Sequence, residues 1–208
     1  TKILRRIVLT LYGFGLGHPN ARAIFQNPDD LALFEQHDLI GQTPVHMIRG
    51  CGVDLETFAP VAEPAGPPVV VFPARLIDDK GIHEFLAAAR IARQRGVKAR
   101  FRLIGRTDAD NPTDVGETII RRWESSGLIE WQGFASDMPK VFAKCHIVCL
   151  PSYREGLPRT LIEAAACGRA IVTTDVPGCR EIVADGDNGL LVPARDGAAT
   201  AEAVISLI

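Results

Sequence analysis

The sequence predicts an α/β fold in which a parallel sheet is flanked by helices. From Val69 onward, short apolar runs alternate with amphipathic stretches, which is the pattern of successive strand-helix units that close on one parallel sheet. The apolar runs are nearly continuous, as expected of strands that helices cover on both faces. The predicted strands are residues 69–73, 100–104, 129–132, 147–150, 170–174 and 190–192, and the predicted helices are residues 82–95, 114–126, 138–144, 158–167 and 198–208, with a short helical turn near 180–183.

A proline-rich stretch divides the chain into two regions. Residues 57–68 contain several prolines and show little periodicity, so we predict a linker there. We assign residues 61–208 to a Rossmann-like domain, and residues 1–60 to this linker and the remnant of a second domain. The predicted elements of the remnant are strands at residues 7–11 and 45–48 and a helix at residues 28–37 capped by Asn27. These elements are too few to build an independent core.

Composition and charge exclude several classes of protein. The 208 residues carry a net charge of −2, so there is no bulk attraction to nucleic acid, whose binding needs clustered Lys and Arg. No apolar run reaches the roughly 18 to 20 residues that span a bilayer. The histidines form none of the spacings typical of zinc sites. The cysteines contain no C-x2-C pair, which indicates reduced thiols in a cytosolic protein.

The densest functional signal is the segment from Pro151 to Ala164, which reads PSYREGLPRTLIEA. It directly follows the predicted strand at residues 147–150, and open α/β sheets bind their ligands at the carboxyl ends of strands. Gly156 allows a ligand to approach the backbone, and Pro158 suits the first position of a helix. We therefore predict that this helix N-terminus forms an anion site suited to a diphosphate.

Two carboxylates in this segment are candidate ligands for hydroxyl groups. Glu155 lies in the loop and can accept hydrogen bonds from a sugar, whereas Glu163 lies in the first turns of the helix and can accept from a ribose diol. The alternative for Glu163 is an ordinary solvated charge on a helix face. Its apolar neighbours Leu161, Ile162 and Ala164 favour a mostly buried helix instead.

A second signal is a pair of cations between the first predicted strand and the helix that follows it. Arg75 and Lys80 lie on one strand-to-helix loop. There they could bind a diphosphate and stabilise the negative charge that develops on it as it departs as the leaving group. Cations on a loop are often merely solvated. A cationic loop and a helix-capped loop at strand ends of the same sheet nevertheless point together to one phosphate site.

Taken together, these motifs closely resemble the C-terminal domain of the family 4 retaining glycosyltransferases of GT-B fold. The resemblance runs from about Val45 to the end of the chain and includes the family's E-x7-E signature, Glu155 to Glu163. The matching segments are Arg75 with Lys80-Gly81, Glu155-Gly156-Leu157-Pro158 with Glu163-Ala164, residues 167–175, residues 178–183 and residues 188–192.

The resemblance implies a role for each site residue. Arg75 and Lys80 would bind the donor diphosphate, Glu155 would contact hydroxyls of the transferred sugar, and Glu163 would bind the nucleotide ribose. Arg75, Lys80 and Glu155 form the implied catalytic set. The remaining implied donor contacts are backbone N–H groups at Gly156, Leu157 and Thr160 for sugar and phosphate, and the loops with Gly105, Arg106 and Phe134 for the base.

The resemblance also implies the reaction of the full-length protein. A hexosyltransferase of this family would move a sugar from a nucleoside diphosphate donor, here a UDP-sugar, to a saccharide or lipid-linked saccharide, as in bacterial surface polysaccharide synthesis. No metal and no cofactor are expected. The acceptor-side domain would precede this chain, so we expect the present segment to bind a donor without transferring sugar. Peripheral association with the inner face of a membrane would arise from that domain.

One departure and two alternatives remain at this stage. The family often has Gly immediately before Arg75, where this chain has Pro73-Ala74, so the local turn is an open point. The first alternative is a non-catalytic nucleotide-sugar-binding module, because the same residues would serve binding alone. The second is an NAD-dependent oxidoreductase, suggested by Gly13 to Gly17. The third glycine of G-x-G-x-x-G would fall at His18, which disfavours it.

Overall fold

A computed structural model describes residues 2–208; Thr1, which our predicted N-terminal region includes, lies outside the described residues. The chain divides into two compact units, one ending at Gly52 and the other comprising Val53–Ile208. Each unit has its own sheet.

The smaller unit contains two helices and a two-stranded parallel sheet. Its elements in chain order are α1 (Lys2–Leu16), β1 (Ala23–Phe25), α2 (Pro28–Gln36) and β2 (Val45–Met47). The strands pair with Ala23 opposite Val45. Asn27 caps α2 as predicted, because its side-chain Oδ1 accepts a hydrogen bond from the Asp30 amide at 2.7 Å.

The prediction of a strand at residues 7–11 is wrong, because that segment lies inside α1. Apolar residues recur at Ile3, Ile7 and Leu11, which is the spacing of one helix face rather than of a strand. The strand of this region is β1, which the sequence analysis missed because it is only 3 residues long. Gly13 lies within α1, so the glycine-rich segment does not follow a strand as a dinucleotide loop does.

The larger unit is a Rossmann-like parallel sheet of six strands flanked by helices, which confirms the predicted fold class. Its strands are β3 (Val69–Pro73), β4 (Arg100–Ile104), β5 (Glu130–Trp131), β6 (Ile147–Leu150), β7 (Ala170–Thr174) and β8 (Gly189–Val192). Its helices are α3 (Ile82–Gln94), α4 (Glu117–Ser125), α5 (Met138–Phe142), α6 (Arg159–Ala166) and α7 (Gly197–Ser206), and a short 3-10 helix (Asp78–Lys80) precedes α3.

The order of the strands defines where a ligand can bind. The sheet reads β5-β4-β3-β6-β7-β8, so the chain first moves outward from β3 and then returns to place β6 beside it. Such a reversal opens a crevice between the loops that leave the two central strands at their carboxyl ends. Here those loops are residues 74–81 after β3 and residues 151–158 after β6.

The predicted elements of this unit are present, with shifts of a few residues at their ends. β5 is shorter than the predicted strand at 129–132, and α4 begins at Glu117 rather than at residue 114. The predicted helical turn near 180–183 is a series of hydrogen-bonded turns, in which the amides of Ile182 and Val183 both donate to the Cys179 carbonyl.

The two compact units divide before the proline-rich stretch that we predicted as the linker. Phe58 is buried, and its ring lies 6.4 Å from that of Phe142 in the core. The buried Arg169 side chain donates to the carbonyls of Cys145, Cys167 and Val61. These contacts hold the segment around residues 53–61 against the rest of the larger unit, since buried donors and acceptors are costly to leave unpaired.

Most of the cysteines lie in the interior of the protein. Cys145, Cys149, Cys167 and Cys179 are buried as free thiols, and Cys51 is exposed. Burial raises the pKa of Cys145 to about 12 and that of Cys179 to about 11, so these thiols stay protonated near neutral pH. Across residues 2–208, no helix is both long enough and apolar enough to cross a membrane.

Candidate functional site

The two loops that flank the crevice contact each other directly. Gly81 has a left-handed backbone with φ of 76°, and a Cβ at this position would lie 2.0 Å from the Pro151 carbonyl oxygen. A side chain there would collide with the backbone, so this contact requires glycine. The Tyr153 amide also donates to the Asp79 carbonyl at 2.9 Å.

Lys80 and Glu155 form an ion pair between these loops. The Lys80 Nζ lies 2.5 Å from the Glu155 Oε1, and the Ser152 hydroxyl donates to the same oxygen at 2.7 Å. Only 21% of the Lys80 side chain and 10% of the Glu155 side chain are exposed. The structure thus brings together two site residues that belong to separate sequence motifs.

Arg75 also lies on the β3 loop but has a different partner. Its Nη1 lies 2.6 Å from the Asp108 Oδ2, on the loop that follows β4. Asp108 was not among the predicted site residues, and its pairing with Arg75 was not predicted. The signal that could have found it is topological, because loops that follow adjacent parallel strands lie at the same edge of the sheet.

A pocket of about 500 Å³ opens beside Arg75 at the carboxyl edge of the sheet. Five of the predicted donor-site residues line it, namely Arg75, Gly105, Arg106, Phe134 and Thr160. The Arg106 guanidinium carbon lies 5.5 Å from the centroid of the exposed Phe134 ring. This pocket therefore combines an aromatic face, cations and backbone groups from three strand ends and the first turn of α6.

The Pro73-Ala74 departure is accommodated by a glycine on the neighbouring loop. A Cβ at Gly105 would lie 1.9 Å from the Ala74 carbonyl oxygen, and Gly105 has φ of 155°. The Leu76 amide donates to the Arg106 carbonyl at 3.0 Å. The close backbone approach between these loops thus occurs at Gly105, which leaves room for a side chain at Ala74.

Glu163 is nearly buried on α6, where its partner is Arg159. The Arg159 Nε lies 2.8 Å from the Glu163 Oε1, one helical turn away. Burial raises the pKa of Glu163, and the charge of Arg159 opposes that rise. Sequence analysis predicted a mostly buried helix around Glu163 but did not single out Arg159.

The remaining predicted residues, Gly156 and Leu157, lie in the loop before α6. Gly178, in the turn after β7, has φ of 80°, and a Cβ there would lie 2.4 Å from the Gly156 carbonyl oxygen. The turn after β7 therefore packs directly against the Glu155–Gly156 backbone. Pro158 is the N-cap residue of α6, and its side chain makes no hydrogen bond to the amides of the first helical turn.

Tyr153 is a further residue of this edge that sequence analysis overlooked. Its hydroxyl donates to the buried Glu84 carboxylate, with 2.9 Å to Oε2, and the Arg195 guanidinium lies 3.8 Å from its ring centroid. Burial, followed by the hydrogen bond to Glu84, raises the pKa of Tyr153 to about 12, so it remains a neutral donor. Tyr153 thereby anchors the loop that carries Glu155 to α3.

No group of three or more His, Cys, Asp or Glu side chains within residues 2–208 is arranged to hold a metal ion. The charged groups at the carboxyl edge include the ion pairs that Arg75, Lys80, Glu155 and Glu163 form, with Asp108 and Arg159 as further partners. This arrangement can bind an anion through two cations and accept hydrogen bonds from hydroxyl groups through two carboxylates.

Comparison with known proteins shows which family this chain resembles. Residues 67–208 match the family described as glycosyl transferases group 1. The chain is 28% identical over 221 residues to N,N'-diacetylbacillosaminyl-diphospho-undecaprenol alpha-1,3-N-acetylgalactosaminyltransferase of Campylobacter jejuni, covering 99% of this chain and 56% of that protein. It is 31% identical over 161 residues to the putative colanic acid biosynthesis glycosyltransferase WcaL of Escherichia coli, covering 73% and 39%.

Solved structures share the fold. Sucrose-phosphate synthase from Thermosynechococcus elongatus superposes with a TM-score of 0.80 at 25% identity, over 96% of this chain and 51% of that one. Anabaena HepE, solved in complex with UDP and glucose, superposes with a TM-score of 0.73 at 22% identity, over 89% and 52%. These neighbours have the GT-B fold. The chain spans 56% of the Campylobacter jejuni relative and about half of each of these two solved chains.

The close approach at Gly178 generates a prediction with a matched control. Gly186 has nearly the same φ, 79°, but no atom lies within 4 Å of the position of its Cβ. Gly186→Ala should therefore lower the free energy of unfolding only by the left-handed backbone penalty of about 1–2 kcal/mol. Gly178→Ala should lower it by at least about 1 kcal/mol more, because the Glu155–Gly156 backbone must move. Urea denaturation measures both, and equal losses would contradict the close approach.

Proposed function

The chain belongs to the family of group 1 glycosyl transferases, and we propose that the whole protein is a family 4 retaining enzyme that transfers a hexose from a UDP-sugar to a saccharide or lipid-linked saccharide. The observation that carries the proposal is the Lys80–Glu155 ion pair between the two loops that flank the crevice where the strand order reverses, together with the pocket that Arg75 lines at the same edge of the sheet. The proposed acceptor class draws on the undecaprenol-linked and colanic acid compounds in the names of relatives.

In this proposal the diphosphate of the donor lies between the β3 loop and the N-terminus of α6. Arg75 and Lys80 neutralise the diphosphate, and the helix dipole adds partial positive charge. Since the leaving diphosphate gains negative charge as the bond to the sugar breaks, preorganised cations stabilise the transition state more than the bound substrate. The chemistry assigned to these residues is thus electrostatic, and Arg75 and Lys80 act on the leaving group.

The other parts of the donor fall to residues on either side of the diphosphate. Glu155 accepts hydrogen bonds from hydroxyls of the transferred sugar, and Glu163 accepts them from the ribose. The pocket beside Arg75 is the proposed base site, with Gly105, Arg106 and Phe134 around it. The backbone N–H groups proposed to complete the cradle for sugar and phosphate are those of Gly156, Leu157 and Thr160.

Donor binding must rearrange the existing ion pairs. Arg75 is paired with Asp108, and 54% of the Arg75 side chain is exposed, so water screens this pair and a diphosphate can replace the carboxylate at low cost. Lys80 and Glu155 are more shielded, so their attraction is stronger. We propose that the donor displaces Asp108 from Arg75 but shares Lys80 with Glu155, whose second oxygen then serves the sugar.

Transfer requires more than the donor site. An acceptor hydroxyl must lie within about 3 to 3.5 Å of the anomeric carbon, and a second domain is proposed to position it. On this basis the present chain binds donor nucleotide without transferring sugar, while the whole protein transfers it in the cytoplasm, in peripheral contact with the membrane that holds a lipid-linked acceptor. A transfer assay on the whole protein also distinguishes an enzyme from a non-catalytic binding module.

Removal of either cation should weaken binding of the diphosphate. Arg75→Met or Lys80→Met retains an apolar stem but removes a charge-assisted contact to the diphosphate, worth about 1.5–3 kcal/mol, or roughly a 10- to 150-fold rise in Kd. Calorimetric titration should show this loss for UDP and little change for uridine. Arg95→Met is the control, because Arg95 pairs with Glu202 at the far end of α3. Equal losses for UDP and uridine would place the two cations away from the diphosphate.

The proposed donor site should also work without a divalent metal ion. If two side-chain cations and a helix N-terminus neutralise the diphosphate, the full-length enzyme needs no divalent cation. Its rate of sugar transfer should be unchanged within about twofold in excess EDTA and after addition of Mn²⁺. Activity that chelation abolishes and Mn²⁺ restores would contradict this account of the site.

A further inference from the structure

Glu163 is held in place by a cation on its own helix. Its side chain is only 9% exposed, whereas that of Arg159 is 64% exposed, so the guanidinium covers the carboxylate from the solvent side. Arg159 is the first residue of α6 and follows Pro158. Arg159 therefore lies at the end of the helix that faces the crevice, and Glu163 lies one turn further along the helix.

Burial makes the charge of Glu163 costly. Desolvation is the main effect on its pKa and raises it, while the Coulomb attraction and the hydrogen bond of Arg159 lower it. The Cys167 thiol, at the C-terminal cap of α6, is also subject to the charge of Glu163. The Cys167 pKa is itself raised by burial, so the thiol is neutral near pH 7 and Arg159 is the charge that supports Glu163.

The protonation state of Glu163 decides what it can bind. An ionised carboxylate offers only acceptors and can receive hydrogen bonds from both hydroxyls of a ribose diol. A protonated carboxyl keeps one hydrogen as a donor and loses acceptor capacity. Its contact with the diol would therefore weaken as the pH falls through the pKa of Glu163.

We propose that Arg159 is a positioning residue for the nucleoside end of the site, where it keeps the Glu163 carboxylate ionised and oriented toward the ribose hydroxyls. The inference rests on the proposed function, in which Glu163 binds the ribose. It adds Arg159, one of the seven residues between Glu155 and Glu163, and gives it a role distinct from that of Arg75 and Lys80. Arg159 acts through Glu163, whereas Arg75 and Lys80 act on the diphosphate.

The test compares UDP with 2'-deoxy-UDP, which lacks one of the two hydroxyls. Titrations at several pH values between about 5 and 8 would measure the Kd of each for the unmodified chain and for Arg159→Met. In the variant the pKa of Glu163 rises further. The affinity for UDP should then begin to fall at a higher pH than in the unmodified chain, and should be about tenfold weaker at the acid end. Binding of 2'-deoxy-UDP should change less, so the preference for UDP should shrink.

Three further variants make the result specific. Arg159→Lys should restore most of the pH profile, because a cation is again one turn from Glu163. Arg121→Met removes an exposed arginine that pairs with Glu117 one turn away on α4, and should leave the profile unchanged. Adding Arg159→Met to Glu163→Gln should have no further effect on the pH dependence, since the titrating group is already absent.

Each contrary outcome has a defined meaning. If Arg159→Met weakens UDP and 2'-deoxy-UDP equally at every pH, Arg159 contacts the phosphates or only stabilises the helix, and the inference is overturned. If UDP binds with the same affinity and pH profile in both proteins, the inference also fails while the proposed function stands. If the unmodified chain binds neither nucleotide, the proposed donor site fails first, and the role of Arg159 fails with it.

Discussion

The ion pair between Lys80 and Glu155 joins two loops that leave neighbouring strands at the point where the strand order reverses. It exists because β6 returns to lie beside β3, which brings residues from distant parts of the sequence within 2.5 Å. The contact also depends on Gly81, whose missing side chain leaves room for the Pro151 carbonyl. The other site residues are arranged around this junction. Arg75 lies on one of the two loops, and Glu155 leads into the helix that carries Glu163.

Four of the charged residues assigned to the donor, Arg75, Lys80, Glu155 and Glu163, are paired with an opposite charge within the chain. Arg75 has Asp108, Lys80 has Glu155, and Glu163 has Arg159. These pairs keep the site ordered and limit repulsion among like charges, but they also compete with the ligand. The exposed pair can open at little cost, whereas the two shielded carboxylates retain their cations. We therefore expect the donor to replace Asp108 as the partner of Arg75. We expect it to bind the Lys80–Glu155 and Arg159–Glu163 pairs without separating them.

Local patterns were sufficient to predict the parallel sheet and the two loops that flank the crevice. The central strands β3 and β6 are apolar and buried throughout, and the helix predicted to start at Pro158 begins one residue later, at Arg159. The partners of the charged residues could not be predicted, because the Arg75–Asp108 contact depends on which loops become neighbours. The strand assigned to residues 7–11 failed for a different reason. A short apolar segment is compatible both with a strand and with one face of a helix. The helical periodicity of α1 becomes evident only when residues outside 7–11 are included.

The central claim is that nucleotide binds at the carboxyl edge of the six-stranded sheet. The most direct measurement is the change in backbone amide chemical shifts of the isotopically labelled chain during titration with UDP. We expect the largest changes at Gly105, Gly156 and Thr160, and little change at Gly127 or Gly186. Shifts concentrated instead around Gly186, in the pocket beside the first residues of β7 and β8, or the absence of any saturable shift, would contradict the account.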